Sequence, residues 1–154
     1  MPKIDAAALP FVAPRGGYPP PYDKALAGRS SKRLGSRVGL TQFGVNLTRL
    51  APGAISSMRH WHAKQDEFIY VVEGEITLVT DAGRQRLGPG MAAGFPAGKP
   101  DGHQLVNETA KPAIYLEIGD RTPGDSAGYS DVDLAASMVD GKFVFTHKNG
   151  DPFK

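Results

Sequence analysis

An all-β fold, an antiparallel sandwich or barrel, is what this sequence predicts, and three observations carry that expectation. Short runs rich in β-branched and aromatic residues recur from Gly39 to Thr146. Gly, Pro, Asn and Asp signals interrupt them at intervals of about eight to twelve residues, the punctuation of an antiparallel sandwich or barrel. Apolar residues nowhere hold a helical period for long, and Leu134–Val139 is the one weak helical candidate.

Taken in order, residues 1–38 are rich in Pro, Gly and basic side chains and read as an extended arm. Tyr18-Pro19-Pro20-Pro21-Tyr22 excludes helix and central strand, because each proline fixes φ and removes a backbone donor. Such an arm packs across its own domain, covers a partner subunit or engages a proline-recognition module. The barrel core is expected over residues 39–119. Phe43–Leu50 alternates and stops at Pro52-Gly53; Ile55–His62 is a second run. Phe68–Val72 is strongly β-prone and ends at Glu73-Gly74, where glycine permits a tight turn with positive φ. Glu75–Thr80 and Arg84–Leu87 flank Asp81-Ala82-Gly83, a hairpin turn. Met91–Phe95, His103–Val106 and Ala113–Ile118 follow, separated by Pro96-Ala97-Gly98 and further turns. Residues 120–154 are expected as an extension that packs on the barrel and closes with a strand, Phe143–Thr146.

Composition removes several function classes. The chain has no cysteine, so disulfides, thiolate metal sites and a cysteine nucleophile are excluded. A formal net charge of +2 argues against generic nucleic-acid binding, and no helix-turn-helix pattern is present. No apolar run approaches the roughly 18 residues of a membrane span. No secretory signal is legible at Met1-Pro2-Lys3-Ile4-Asp5, so a soluble cytoplasmic protein is expected. No Gly-X-Ser-X-Gly elbow and no phosphate-binding glycine loop leading into a helix occur. Charge is uneven: Lys24–Lys64 holds eight bases and no acid, while Asp101–Asp140 holds eight acids and two bases. Two solvated faces explain this, as does a contact between the basic part of one subunit and the acidic part of another.

The chemistry concentrates in histidine. Three of the four histidines fall in two short segments, His60-Trp61-His62 and Asp101-Gly102-His103. In a strand, side chains at i and i+2 share a face, so His60 and His62 point together and Trp61 points away into packing. Glu67 returns from the next strand after the turn Ala63-Lys64-Gln65-Asp66, with Asp66 an alternative oxygen donor. His103 would arrive from a strand alongside. Each feature alone is commonplace, whether a surface carboxylate or a hydrogen-bonded loop histidine. Together they offer three nitrogens and one oxygen to one divalent ion per chain, of iron, manganese, nickel or zinc, with positions left open for a ligand. His147, in the C-terminal segment, is expected to be exposed and without a role.

These segments resemble the two motifs of the cupin family. Gly53, His60, His62, Glu67 and Gly74 follow the first motif; Gly90, Pro96, Gly98, His103 and Asn107 follow the second. The resemblance covers roughly residues 40–119 and implies an antiparallel double-stranded β-helix, or jelly-roll barrel, with His60, His62, Glu67 and His103 as metal ligands and Asn107 in a tight turn. Two spacings depart from the pattern. One extra residue lies between Gly53 and His60, which points to a bulge or longer turn near Ser56-Ser57. Two extra residues lie between Gly98 and His103, which lengthens the loop before the fourth ligand.

On the ligand face, Met58, Ile69, Val71, Leu105 and Phe95 would wall an apolar cavity, and Arg59 would reach its rim if the strand bulges there. Two function classes stand open. The favoured one is a small-molecule metalloenzyme of oxygenase, isomerase or lyase type acting on an oxygen-rich substrate. The other is a non-catalytic sensor or ligand-binding module with a bound metal, since fold alone does not decide function. No second carboxylate is evident on the cavity face to serve as a base. A homodimer is expected, with the arm as a cover for exposed strand edges.

Overall fold

A computed structural model describes residues 3–154, which form twelve antiparallel strands and one four-residue helix. The first sheet runs in the order β1 (Arg29–Arg33), β2 (Phe43–Leu50), β9 (Ala113–Asp120), β4 (Glu67–Glu73) and β7 (Ala92–Phe95). A second layer comprises β12 (Lys142–Thr146), β11 (Ala135–Val139), β10 (Ser126–Tyr129) and β3 (His60–His62). A third set comprises β6 (Gly83–Leu87), β5 (Ile76–Thr80) and β8 (Gln104–Val106). These last two meet at His60 and His103, whose backbones exchange hydrogen bonds of 3.2 and 2.9 Å. Two layers face each other, as a jelly roll requires.

Alternation explains which side each strand buries. In β4, Ile69 and Val71 point inward and are 4% and 0% exposed, while Phe68, Tyr70 and Val72 point outward. With Leu50, Ile76, Leu78, Leu105 and Tyr115 they form the main core. A second cluster of Ala127, Tyr129, Leu134 and Ala136 lies under β10 and β11. Its partners include Tyr18 and Tyr22 of the Pro-rich segment, and Tyr18 sets its ring edge-on to Tyr129 and Phe145. The arm therefore packs on its own chain in this structure.

Several local expectations are corrected. The arm is not uniformly extended: it contributes β1 and a short helix, α1 (Leu34–Arg37). Arg29-Ser30-Ser31-Lys32-Arg33 carries no apolar alternation, yet it pairs residue by residue with β2, from Arg29 opposite Leu50 to Arg33 opposite Asn46. Leu134–Val139 is not helical; Ala135–Val139 is a strand flanked by β10 and β12, so pairing on both sides overrides a weak propensity. Strand β10 was not legible at all. The run before His60 is looped rather than a strand, apart from a bridge between Ile55 and Val106. Ser56 stitches that loop to β8, donating from its N–H to the Leu105 carbonyl and accepting from the Leu105 N–H on Oγ, both at 2.9 Å.

Gly74 turns at φ 77°, and a Cβ there would lie 2.7 Å from the Pro112 carbonyl oxygen. Asn107, fully buried, donates to the carbonyls of Leu50 and Lys111 and accepts from Thr109, which fixes the turn into β9. The oppositely charged halves of the sequence meet within the chain: Arg29 pairs with Glu117, and Arg59 with Asp131.

Candidate metal centre

His60 and His62 leave β3 on one face, and Glu67 opens β4, so their ligand atoms gather within 4.8 Å of one another. The Nε2 atoms of the two histidines lie 3.1 Å apart, and each is 3.7 Å from Glu67 Oε2. His103, just before β8, brings its Nε2 to 2.6 Å from the same Oε2. Despite that approach, Glu67 Oε2 is shielded from water and lacks a hydrogen bond of sound geometry. A buried carboxylate oxygen left in this state, facing three imidazole nitrogens, fits a shared cation better than a closed hydrogen-bond network.

The surroundings hold His60 and Glu67 in ligand-ready form. Burial disfavours the imidazolium and, against the pull of Glu67, lowers His60 to about 4. Burial pushes the Glu67 carboxyl up, but His103 and the other two imidazoles outweigh it and bring it down to about 2. Neutral imidazole and ionised carboxylate are the states that ligate a metal.

Each ring is set from behind. His62 Nδ1 lies 2.5 Å from Oδ2 of Asp125, a residue 1% exposed, and Asp125 Oδ1 accepts from the Lys64 N–H at 2.8 Å. His60 Nδ1 stands 2.9 Å from the Met58 carbonyl and 3.2 Å from Ser57 Oγ. The His103 ring stacks on Phe95, with centroids 3.7 Å apart and planes 3° from parallel, and its Nδ1 has no hydrogen-bond partner. Asp66 is turned elsewhere: its Oδ1 accepts from the Ala97 N–H at 2.7 Å.

Two cavities reach this group. The larger, about 250 Å³, is lined by His60, Glu67 and His103 together with Ile69, Phe95, Leu105 and Leu26. Its polar wall carries Tyr18, Ser56, Ser57, Arg29, Tyr115 and Glu117. The smaller, about 200 Å³, is bounded by His62, Glu67, His103, Trp61 and Lys99.

Of the six residues expected to wall the cavity, Ile69, Phe95 and Leu105 do so, and the other three lie elsewhere. Met58 packs in the second cluster, Val71 is sealed in the main core, and Arg59 is turned outward by a two-pronged pair with Asp131 at 2.8 Å and a contact to Asp81. Trp61 borders the smaller cavity, and its indole lies so close over Gly128 of β10 that a Cβ there would fall 2.6 Å from Nε1. His147 is remote from the group and pairs with Asp133 at 2.8 Å.

Three contributors escaped the sequence reading. Asp125 follows a turn and precedes an unrecognised strand. Tyr18 was hidden in a Pro-rich segment. Glu117 corrects the expectation that no second carboxylate faces the cavity. Two residues beyond Tyr115 in β9, it shares that residue's face, a signal that the alternation of Ala113–Ile118 did hold.

A cupin domain model matches residues 46–119. A sugar phosphate isomerase of the cupin superfamily from Silicibacter pomeroyi is 49% identical, with 99% of this chain and 97% of that one covered and a TM-score of 0.93. This chain is a cupin. A second similar structure, a putative sugar phosphate isomerase from Acidithiobacillus ferrooxidans, is 27% identical over 82% of this cupin and 80% of its own length, with a TM-score of 0.74. The polyketide cyclase RemF from Streptomyces resistomycificus shares the fold at 21% identity, 81% and 83% coverage and a TM-score of 0.66. No functionally curated protein matches this cupin. No helix among the described residues is long and apolar enough to cross a membrane.

Proposed function

We propose that this cupin is a metal-dependent isomerase of a phosphorylated sugar. The observation that carries the reading is the near full-length, 49% identical structure described as a sugar phosphate isomerase, joined to a mixed polar and apolar cavity against the histidine–glutamate group. One divalent ion held by His60, His62 and Glu67, with His103 beside them, would polarise a substrate oxygen as a Lewis acid. Interconversion of an aldose and a ketose moves the C2 proton to C1 and the O2 hydroxyl proton to O1, and needs no oxidant. Glu117 is the carboxylate of this cavity outside the metal group, and it is held for that transfer. Arg29 Nη2 donates to its two oxygens at 3.2 and 3.1 Å, and Asn46 Nδ2 donates at 3.2 Å. Ser56, Ser57 and Tyr18 offer hydroxyls to a polyhydroxylated ligand, while Ile69, Phe95 and Leu105 keep bulk water from the reacting carbons.

The test begins with elemental analysis of the purified protein and of His62→Ala. A stoichiometric ion in the first and its loss in the second are expected. NMR of a panel of aldose and ketose phosphates with the loaded protein then reads interconversion, which Glu117→Gln should slow by about 100-fold or more. Tight binding of these sugars without interconversion would instead favour the non-catalytic binding module.

We also infer a homodimer through the outer face of β4, where Phe68, Tyr70 and Val72 are 42%, 41% and 46% exposed. Light scattering of Tyr70→Glu should report a monomer; an unchanged mass for both proteins would sink this assignment.

A further inference from the structure

A cavity of about 500 Å³ lies between the N-terminal segment and the β1–α1 edge of the first sheet, away from the histidines. Six of its lining residues are basic, namely Arg15, Arg29, Lys32, Arg33, Arg37 and Arg121, and no Asp or Glu lines it. Of these six, among the described residues, only Arg29 has an acidic partner within ion-pair distance, Glu117 at 3.1 Å. Lys32 is the telling member. It is 9% exposed, and its Nζ meets the Ala6 carbonyl at 2.7 Å and the Phe11 ring at 4.5 Å, with no carboxylate. A buried cation without a counter-charge is costly, and five like charges converging on one concavity add to that cost. The function of the metal group uses none of these five residues.

We propose that this cavity is an anion site for a phosphate group, taken as inorganic phosphate or as the phosphate of a small ester. Arginine forks match phosphate oxygens in pairs, and Lys32, buried in the wall, adds to the positive field. Ser31 and Ser36 in the same wall add hydroxyl donors. The site is separate from the metal cavity but adjoins it. Arg29 lines both, and Asn46, in the wall of this second cavity, donates to Glu117 in the first. It stands or falls independently of the isomerase reading.

Calorimetric titration of inorganic phosphate into chelator-treated, metal-free protein tests it, because the histidine group then has no ion to recruit the anion. Saturable binding that weakens with salt is expected, and Arg33→Glu with Arg37→Glu should weaken it by roughly tenfold or more. Glucose 6-phosphate should bind and glucose should not. If glucose binds as well as its phosphate and inorganic phosphate does not, the sugar moiety rather than the phosphate is recognised and the assignment is overturned. Absence of saturable binding, binding that appears only with metal present, or binding that the double variant leaves unchanged would each overturn it too. Both substituted residues are exposed, and a circular dichroism spectrum shows whether the fold survives. Should the double variant misfold, Arg37→Gln and Arg15→Gln carry the same test with smaller losses.

Discussion

On one flank of the candidate metal group, His62 is backed by a carboxylate; on the other, His103 is backed by a phenyl ring. Asp125 lies 2.5 Å behind His62 and is itself tied to the Lys64 N–H. Phe95 lies parallel to His103 at 3.7 Å, and the Nδ1 of that ring bonds to nothing. A carboxylate fixes the tautomer and orientation of the imidazole, whereas stacking fixes only the plane. The same task of presenting Nε2 to Glu67 is thus done by charge on the β3–β10 side and by shape on the β7–β8 side.

Substitution should expose the asymmetry. The largest effect is expected from Asp125→Ala, which strips His62 of its anchor and leaves the Lys64 N–H unpaired. Metal affinity, read by chelator competition, should fall by about 10- to 100-fold, and the urea midpoint should report a loss of about 3 kcal/mol. Equal affinities for Asp125→Ala and the parent would erase the distinction between the flanks. Phe95→Ala should cost stability of similar size, about 3 kcal/mol, but lower metal affinity by less than Asp125→Ala does. A reversed order of the two affinities would assign charge and shape to the wrong sides.

Acidification sharpens the comparison next. His60, backed by a carbonyl and buried, is lowered to about 4, while the unfolded chain takes up that proton near the free-imidazole value of about 6.5. The unfolded state therefore binds more protons between those values. The stability of the metal-free protein should decline as pH falls through that window, and Glu67, held down to about 2, carries the decline further below it. A urea midpoint that is flat from neutral pH to the lower limit would contradict the buried neutral ring. The smallest effect belongs to Asp131→Asn. Its pair with Arg59 sits at the surface, with Asp131 59% exposed, so the change should stay within about 1 kcal/mol and leave metal content untouched.

Much of this was legible in the chain and some was not, for physical reasons. The candidate ligands His60, His62, Glu67 and His103 are short-range features of strands and turns, so alternation and spacing bring them together. Alternation likewise assigns Ile69 and Leu105 to the interior. It misplaced Met58 because the chain loops before His60, and a loop has no face. It passed over Arg29-Ser30-Ser31-Lys32-Arg33 because a strand can be made by its partner's hydrogen bonds alone. Asp125 and Glu117 sit 63 and 88 residues from the side chains they hold, His62 and Arg29, and no local pattern reports a contact over that distance.

The single tryptophan of the chain, Trp61, stands between His60 and His62 with its indole pressed on Gly128. Nothing else in this protein emits as tryptophan does. Its fluorescence is therefore a built-in optical gauge of one three-residue strand, and a metal held by His60 and His62 should change it in the untouched protein without a dye, label or substrate. Gly128→Ala, by forcing the indole off its seat, would recalibrate that gauge while leaving all four donor side chains in the sequence.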